Sequence, residues 1–227
     1  KRAGYPKVAM KPYSILLTAV GAALLWFGWS GFNGGSAFGA KAIAGLAVMT
    51  TPVANAAAAV TWMLLEWVVF KKPTLLGIAS GIIAGLVAIT PAAGFVSVGG
   101  AFILGIGGSV IAFFGVVALK KKLKYDDSLD AFGIHFLAGL WGALMTGVLA
   151  LNDQDLLWDG PLKADGDRMG QFLVQVESVV YVGLWTLIGT VVVYYIASAL
   201  TGGARVDEET ESAGLDETIH GEKVVNE

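Results

Sequence analysis

The sequence predicts an all-α integral membrane protein with six transmembrane helices, and three observations lead to that prediction. Apolar residues make up 56% of the chain, and its mean hydropathy is +0.69. Charged residues, at 15%, are too few to cover the surface of a soluble domain of 227 residues. Six apolar segments alternate with polar connections, and crossing about 30 Å of hydrocarbon takes about 20 helical residues. The segments are 13–32, 43–70, 75–90, 99–119, 130–151 and 171–200.

The six segments differ in length and in their content of small residues. The third, 75–90, is short, and the sixth, 171–200, would rise roughly 45 Å as a helix. A helix of that length must tilt or lie across the outside of a bundle. The pattern Gly81-x-x-x-Gly85 and the glycines between 99 and 108 permit close helix contact. Generic packing explains these glycines, and a tightly packed bundle suits a narrow pore better than a roomy cavity.

Basic residues predict the orientation of the segments, because lysine and arginine accumulate in cytoplasmic connections. If the segments alternate in direction, one side of the membrane receives Lys1, Arg2, Lys7, Lys11, Lys71, Lys72, Lys120, Lys121, Lys122, Lys124 and Arg205. The other side receives only Lys41, Lys163 and Arg168, and its longest connection is acidic. We therefore expect a multi-pass protein of the cell membrane with both ends cytoplasmic. Its parts are a loop at 1–12, a transmembrane domain at 13–204 and a tail at 205–227.

Composition also argues against several functions. The chain has no cysteine for a disulfide or a thiolate site, and His135 and His220 are too few for a multi-histidine metal centre. The net charge of −3 argues against nucleic acid as a partner. The sequence contains no phosphate-binding loop, nucleophile elbow or metalloprotease motif. We therefore expect neither an enzyme nor a bound cofactor.

His135 is the most informative residue, because it interrupts the apolar stretch 131–140. An ionisable group at membrane depth is costly, so a functional role is the default interpretation. If the helix begins near Asp127, His135 lies about 12 Å along it, close to the midplane. A buried imidazole that donates one hydrogen bond and accepts another can move a proton or hold a polar solute. The alternative is a histidine that merely bonds to a neighbouring helix.

Two acidic residues near the ends of segments have structural interpretations. Asp130 closes the polar stretch 126–130 and is well placed to cap the N-terminus of the helix that carries His135. Glu66 lies near the cytoplasmic end of its segment, within reach of Lys71 or Lys72. We expect its carboxylate to extend toward the membrane interface.

Trp29, Phe32 and Ser36 follow one another at helical spacings of three and four, at the outer end of the first segment. Residues at these spacings share one helical face. Aromatic rings attract a dehydrating cation, and a serine hydroxyl can replace a lost water. The three residues are therefore a candidate cation vestibule. An aromatic belt at the membrane interface explains the same aromatic residues equally well.

Several stretches resemble motifs of the ammonium transporter/methylammonium permease/Rhesus family, in the family's order and nearly from end to end. Residues 27–36 (FGWSGFNGGS) resemble the motif of its sixth helix. Residues 72–81 (KPTLLGIASG), 84–94 (AGLVAITPAAG) and 126–135 (DDSLDAFGIH) look like the segments around its eighth and tenth helices. Residues 214–222 (GLDETIHGE) are similar to its cytoplasmic C-terminal motif.

This resemblance implies an eleven-helix bundle built from two inverted five-helix repeats and assembled as a homotrimer, with one narrow pore per subunit. The chain corresponds to the second repeat and the last long helix. Lys1 falls where the loop between helices five and six is expected. A complete pore therefore requires a further partner, the first half of the same transporter.

The resemblance also implies a function, channel-like ammonium transport. Ammonium is recruited at an outer site, loses its proton and crosses as ammonia through a hydrophobic pore that contains two histidines. On this pattern Trp29 and Ser36 line the outer site, Phe32 is a gate phenylalanine, and His135 is the second pore histidine.

The tail carries a further implication of the resemblance. A PII-type regulator is expected to dock at the cytoplasmic motif, whose residues are Gly214, Leu215, Asp216, His220 and Gly221. The alternative function is an ammonium sensor of the same fold that signals to a cytoplasmic partner.

The sequence departs from the family pattern at a few positions. Phe136 follows His135 where glycine is usual, which would narrow or reshape the pore. Lys41 and Thr51-Pro52 also differ from the usual pattern of the seventh helix and of the outer loop before it.

Overall fold

The computed structural model describes residues 2, 4–7, 11–151 and 167–222. The predicted all-α fold is confirmed, because regular structure in these ranges is helical apart from one isolated bridge between Val96 and Ala150. The α-helices are α1 (Ile15–Gly35), α2 (Ala42–Phe70), α3 (Leu75–Ile89), α4 (Val98–Phe114), α5 (Lys120–Leu123), α6 (Ala138–Leu149), α7 (Arg168–Leu200) and α8 (Glu208–Ala213). The π-helical turns are π1 (Gly115–Leu119), π2 (Phe132–Leu137) and π3 (Asp216–His220).

The chain forms two compact units. The first is Lys11–Val179, which holds α1 to α6 and the beginning of α7. The second consists of Val180–Glu227 and Lys1–Met10, and it holds the rest of α7, α8 and π3.

Each of the six predicted segments contains a helix, and five stretches of the described chain are long and apolar enough to cross a membrane. These are α1, α2, Val98–Leu123, Phe132–Leu149 and α7. The third segment is the exception, because α3 has 15 residues and rises only about 22 Å. The Thr74 hydroxyl, which accepts from the Gly77 N–H, sets its beginning. Pro91 follows Thr90, its last cap, and cannot continue the hydrogen-bond ladder.

Helix α2 is the centre of the first unit, because it packs against α1, α3 and α4. Small residues make these contacts close. A Cβ added to Gly85 on α3 would lie 2.6 Å from the Cβ of Ala58 on α2. A Cβ added to Gly105 on α4 would overlap the carbonyl of Ala54 on α2. The predicted close helix contact through glycine is therefore confirmed at both positions.

Helix α6 packs against α3 and α4 in the same manner. A Cβ on Gly142 would overlap the carbonyl of Ala88 on α3. Beside it, the indole of Trp141 covers Gly107 and donates to the Leu104 carbonyl on α4, with 3.2 Å between nitrogen and oxygen. The glycines therefore provide both close backbone approach and room for a large side chain.

The C-terminal end of α6 is capped by a residue from the start of α7. The Arg168 guanidinium donates to the carbonyls of Val148 and Ala150 at 2.8 and 2.9 Å. These carbonyls belong to the last helical turn, which has no partners within the helix. Arginine is well suited to this position because its charge also complements the negative end of the helix dipole.

We predict that Gly105→Ala destabilises the protein, because a methyl group there meets the Ala54 backbone. The expected cost is about 1–3 kcal/mol, measured as a lower midpoint of thermal unfolding of the full-length protein in detergent. Gly21→Ala is the matched control, since a Cβ at Gly21 has nothing within 4 Å. Alanine favours a helix over glycine, so the control should be neutral or stabilising. Equal effects of the two substitutions would contradict the packing argument.

Candidate functional site

The aromatic face predicted at the end of α1 is present. The rings of Trp29 and Phe32 lie with their centroids 5.5 Å apart at an interplanar angle of 60°. The Ser36 hydroxyl donates to the Phe32 carbonyl at 2.9 Å and lies at the C-cap of α1. Phe32 is 60% exposed, and Ser36 is exposed beside it. The three residues that share this face therefore lie at one helix end, and their role in cation recruitment stays a prediction.

The indole of Trp29 is held by α3. Its Nε1–H donates to the hydroxyl oxygen of Thr90 at 2.8 Å, and the Thr90 hydroxyl in turn donates to the Leu86 carbonyl at 2.7 Å. This chain of two hydrogen bonds sets the orientation of the indole relative to α3. Sequence reasoning did not single out Thr90. The available signal was a hydroxyl within an apolar segment, which at membrane depth requires a partner.

Asn55 forms a second polar link between α1 and the core, and it was also missed. The side chain is fully buried in the middle of α2. We assign its amide orientation from the hydrogen-bond network. In that orientation its nitrogen donates to the Ile82 carbonyl at 3.2 Å, and its oxygen accepts from Trp26 Nε1 at 3.0 Å. A buried asparagine in an apolar helix was the sequence signal for this contact.

Asn33 connects the aromatic face to α2. It is buried, and its amide nitrogen donates to the Thr51 hydroxyl at 2.9 Å. The Thr51 hydroxyl donates to the Ala47 carbonyl at 2.6 Å. Thr51, which departs from the family pattern, is therefore the partner of an asparagine that lies inside the motif 27–36. Helix α2 continues through Pro52.

His135 lies in π2, with its side chain exposed on the described chain. The sequence predicts an imidazole at membrane depth within a helical segment. The segment is a π-helical turn here, and the depth of the imidazole in the membrane stays a prediction. The opposite face of this segment is the packed one, because Ile134 and Ala138 are buried and a Cβ on Gly133 would meet the Val116 side chain. The imidazole therefore points away from the core formed by α3 and α4.

The polar stretch 126–130 is used differently from the prediction. The carboxylate of Asp127, and not that of Asp130, caps the helix that carries His135. It accepts from the N–H groups of Ala131 and Phe132 at 3.1 and 2.9 Å. The Asp130 carboxylate instead pairs with the Lys120 ammonium at 2.6 Å. The physical reason is the left-handed backbone of Asp130, which continues into the helix through its carbonyl while its side chain bonds elsewhere.

Glu66 is a further correction, because it does not extend toward the interface. It is 8% exposed and accepts from the Thr74 N–H at 2.6 Å and from the Thr74 hydroxyl at 3.1 Å. Thr74 is the N-cap of α3. A carboxylate at the positive end of a helix dipole is stabilised there, which explains why Glu66 turns inward and not toward Lys71 or Lys72.

The tail in the second unit contains two short helical turns. The Asp207 carboxylate accepts from the N–H and the hydroxyl of Thr210 at 2.8 and 2.9 Å and caps α8. The hydrogen bond from the Thr210 backbone N–H, followed by that from its hydroxyl, lowers the pKa of Asp207 below its usual value of 3.8. The cap is therefore intact at neutral pH and is lost only as the pH falls through that lowered pKa. Arg205 Nε donates to Glu211 at 2.9 Å and closes the turn from the other side.

The tail residues predicted to bind a regulator surround π3. Gly214 and Gly221 border this turn with positive φ values of 98° and 69°, which glycine adopts without strain. Leu215 is 45% exposed, and His220 is exposed at the end of the turn. Asp216 begins the turn. Their contact with a partner stays a prediction.

A comparison with known proteins decides the family. The sequence model of the Ammonium Transporter Family matches residues 1–225. The chain belongs to this family. The resemblance inferred from the motifs is confirmed, and the family to which the chain belongs is one of membrane-embedded, multi-pass proteins.

Relatives and solved structures support this membership. A protein named ammonium transporter from Aquifex aeolicus is 46% identical over 219 residues, which is 95% of this chain and 49% of that protein. The ammonium transporter of Bacillus subtilis is 45% identical over 216 residues, 95% of this chain and 52% of that protein. The crystal structure of Candida albicans Mep2 superposes with a TM-score of 0.79 at 33% identity, covering 88% of this chain and 44% of Mep2. The chain therefore spans about half the length of the curated relatives it matches.

We predict that Thr90→Val leaves the Trp29 indole N–H without an acceptor and costs about 1–3 kcal/mol of stability. The direct measurement is the indole ¹⁵N–¹H resonance of Trp29 in the full-length protein, which should move upfield. Thr90→Ser keeps the hydroxyl and should leave the resonance near its original position. Thr61→Val is a second control, because the Thr61 hydroxyl donates to the Ala57 carbonyl of its own helix. An unchanged resonance in Thr90→Val would refute the contact.

Proposed function

We propose that this chain forms half of a channel-like ammonium transporter in the cell membrane. The observation that carries the proposal is the match to the Ammonium Transporter Family over residues 1–225, together with the Mep2 fold at a TM-score of 0.79. The relatives are about twice as long, so the complete pore would also need the segment that corresponds to their other half. In this proposal the chain supplies the second inverted repeat and the last long helix.

The outer end of the pore is proposed to lie at the aromatic face of α1. Phe32 is exposed and packs against Trp29, so a cation that sheds water there would meet a ring face. Ser36, exposed beside Phe32, supplies a hydroxyl oxygen that can replace a lost water. Thr90 holds the Trp29 indole at 2.8 Å, which keeps this face from rearranging. In this proposal Trp29 and Ser36 recruit ammonium, and Phe32 gates its entry.

Electrostatics favours transport as ammonia. A bare cation in a dry apolar pore is prohibitively costly, whereas neutral ammonia is not. Each ammonium ion that enters would therefore split into one ammonia molecule and one proton. Potassium cannot lose its charge in this way, so the same step separates the two cations. The proton would have to cross by another route, and an imidazole can accept it at one nitrogen and release it from the other.

His135 is the proposed proton carrier. Its side chain is exposed on the described chain, on the face that points away from α3 and α4. Phe136 is 52% exposed, and Phe132 and Phe136 pack with their ring centroids 4.9 Å apart. This pair would form an apolar wall next to the imidazole. We propose that the segment corresponding to the other half of the transporter covers this face and completes the pore.

Assembly and regulation follow from the same proposal. We propose a homotrimer with both ends of this chain in the cytoplasm. A PII-type regulator would dock at the tail around π3, where Gly214, Leu215, Asp216, His220 and Gly221 lie. Leu215 and Ile219 are 45% and 55% exposed and would give such a partner an apolar contact.

The alternative function, an ammonium sensor, has one observation in its favour. A solved structure named Sensor Amt Protein superposes with the same TM-score of 0.79, at 29% identity over 90% of this chain. The fold is therefore compatible with both functions. Transport and sensing differ in whether ammonium crosses the membrane, so a flux measurement separates them.

The central prediction is an ammonium-evoked, saturable current in proteoliposomes that contain the purified full-length protein, with no current from potassium. His135→Ala should reduce the current at least about tenfold if the imidazole carries the proton. Tyr181→Phe on α7 is a control, because this exposed residue is far in sequence from the proposed pore residues. The absence of an ammonium current from a folded trimer would favour the sensor or a neutral gas channel. It would exclude the proposal of electrogenic transport.

The tail is tested separately from the pore. Truncation after Arg205, or His220→Ala, is expected to abolish binding of a PII-type protein to the full-length transporter in membranes. The ammonium current should remain, because these residues lie outside the proposed pore. Binding of the PII-type protein that survives both changes would rule out the tail as its docking site.

A further inference from the structure

An ion pair lies beside the backbone that leads into His135. Lys120 follows π1 directly, and its ammonium lies 2.6 Å from the carboxylate of Asp130. Asp130 is two residues before Phe132, where π2 begins. Both side chains are largely shielded, with 21% and 28% of their surface exposed. The pair therefore joins two segments that are separated by the loop 124–129.

Asp130 adopts a backbone conformation that needs such support. Its φ is +55°, in the left-handed region, which aspartate tolerates better than most residues but which still costs free energy. Its carbonyl nevertheless accepts the N–H of Ile134 at 2.9 Å, so this strained residue begins the helix. The neighbouring Asp127 cap holds the next two N–H groups. The entry to π2 is thus held by side chains from both sides.

The two π-helical turns also pack directly on each other. A Cβ on Gly133 in π2 would lie 2.7 Å from Cγ2 of Val116 in π1. A Cβ on Gly115 in π1 would lie 2.6 Å from Cδ1 of Leu137 in π2. The ion pair therefore links the end of π1 to the residues before π2, and the two turns also pack closely against each other at Gly115 and Gly133.

The geometry of a π-helical turn affects the direction in which the His135 imidazole points. A π turn accommodates one residue more than an α turn, and each residue of an α-helix rotates the chain by about 100°. If π2 relaxed to an α-helix, the segment before it would rotate relative to α6. The imidazole of His135, within π2, would then point in a different direction.

We propose that Lys120 and Asp130 are positioning residues that maintain π2 and so direct the His135 imidazole. This role rests on the proposed function for its effect on transport, but the direction of the imidazole can be tested without it. Neither residue touches the substrate in this proposal. Their effect passes through the backbone of Asp130 and the π turn.

The variants are Lys120→Met and Asp130→Asn in the full-length protein. Lys120→Met removes the cation, and Asp130→Asn removes the anion while keeping a side chain that tolerates positive φ. Lys120→Arg preserves the ion pair and should keep both the modification rate of His135 and the current of the unmodified protein. Lys122→Met is the matched control, because it removes the same charge from α5 at an exposed position. Thermal unfolding and the elution volume of the trimer identify any variant that fails to fold.

The first readout is the rate at which diethyl pyrocarbonate modifies His135, measured by mass spectrometry of the peptide. We expect a change of about threefold or more in Lys120→Met and Asp130→Asn, and none in Lys120→Arg or Lys122→Met. His220, on the exposed tail, is the internal reference. Unchanged modification of His135 in both folded pair-breaking variants would overturn the proposal, since a merely stabilising ion pair predicts that result.

The second readout is the ammonium-evoked current, which should fall about tenfold in the two pair-breaking variants and recover in Lys120→Arg. A normal current in both variants would also overturn the positioning role. If the unmodified protein gives no current, the proposal of electrogenic transport fails by itself. The modification rate of His135 then still decides whether the ion pair positions the imidazole.

Discussion

The close approach of α2 to α3 and α4 is the constraint on which the rest of the first unit depends. In a membrane, apolar side chains gain little free energy by moving from lipid into a contact between helices, because both environments are apolar. Helices therefore associate mainly through packing and hydrogen bonds. Gly85 and Gly105 permit that packing because a Cβ at either position would meet backbone atoms of α2. Side chains at these positions would separate the helices, and the polar contacts between them would be lost. The buried Ser109 hydroxyl, for example, reaches the Ala58 carbonyl at 2.9 Å across the α2–α4 contact.

The packed core also positions α1. Asn33 and Asn55 bond groups on α2 and α3, and Trp29 bonds Thr90 on α3. Each bond satisfies a polar group that would be costly alone in an apolar medium. As a result the Trp29 indole is hydrogen-bonded to α3 and packs against Phe32, although α1 is largely exposed. The proposed recruitment of a cation would benefit from this arrangement, because a preorganised site loses little freedom on binding.

The residues proposed to carry transport lie on the faces that this core leaves exposed. Phe32, His135 and Phe136 are all exposed on the described chain, while their helix neighbours Asn33 and Ile134 are buried. The chain covers about half the length of its relatives. The proposed pore between two halves would explain why ionisable and aromatic groups occupy one face of a segment whose other face is closely packed.

Features that depend on local composition follow from the sequence alone. Hydropathy located all six helical segments, small residues predicted the close contacts at Gly85 and Gly105, and the ordered motifs identified the family. Tertiary structure decided which polar groups meet. It assigned the helix cap to Asp127 instead of Asp130, turned Glu66 toward Thr74, made Thr90 the partner of Trp29 and placed His135 in a π turn. Segment hydropathy is a sum over neighbouring residues, whereas a hydrogen bond or an ion pair requires two groups within about 3 Å, and only the folded chain sets that distance.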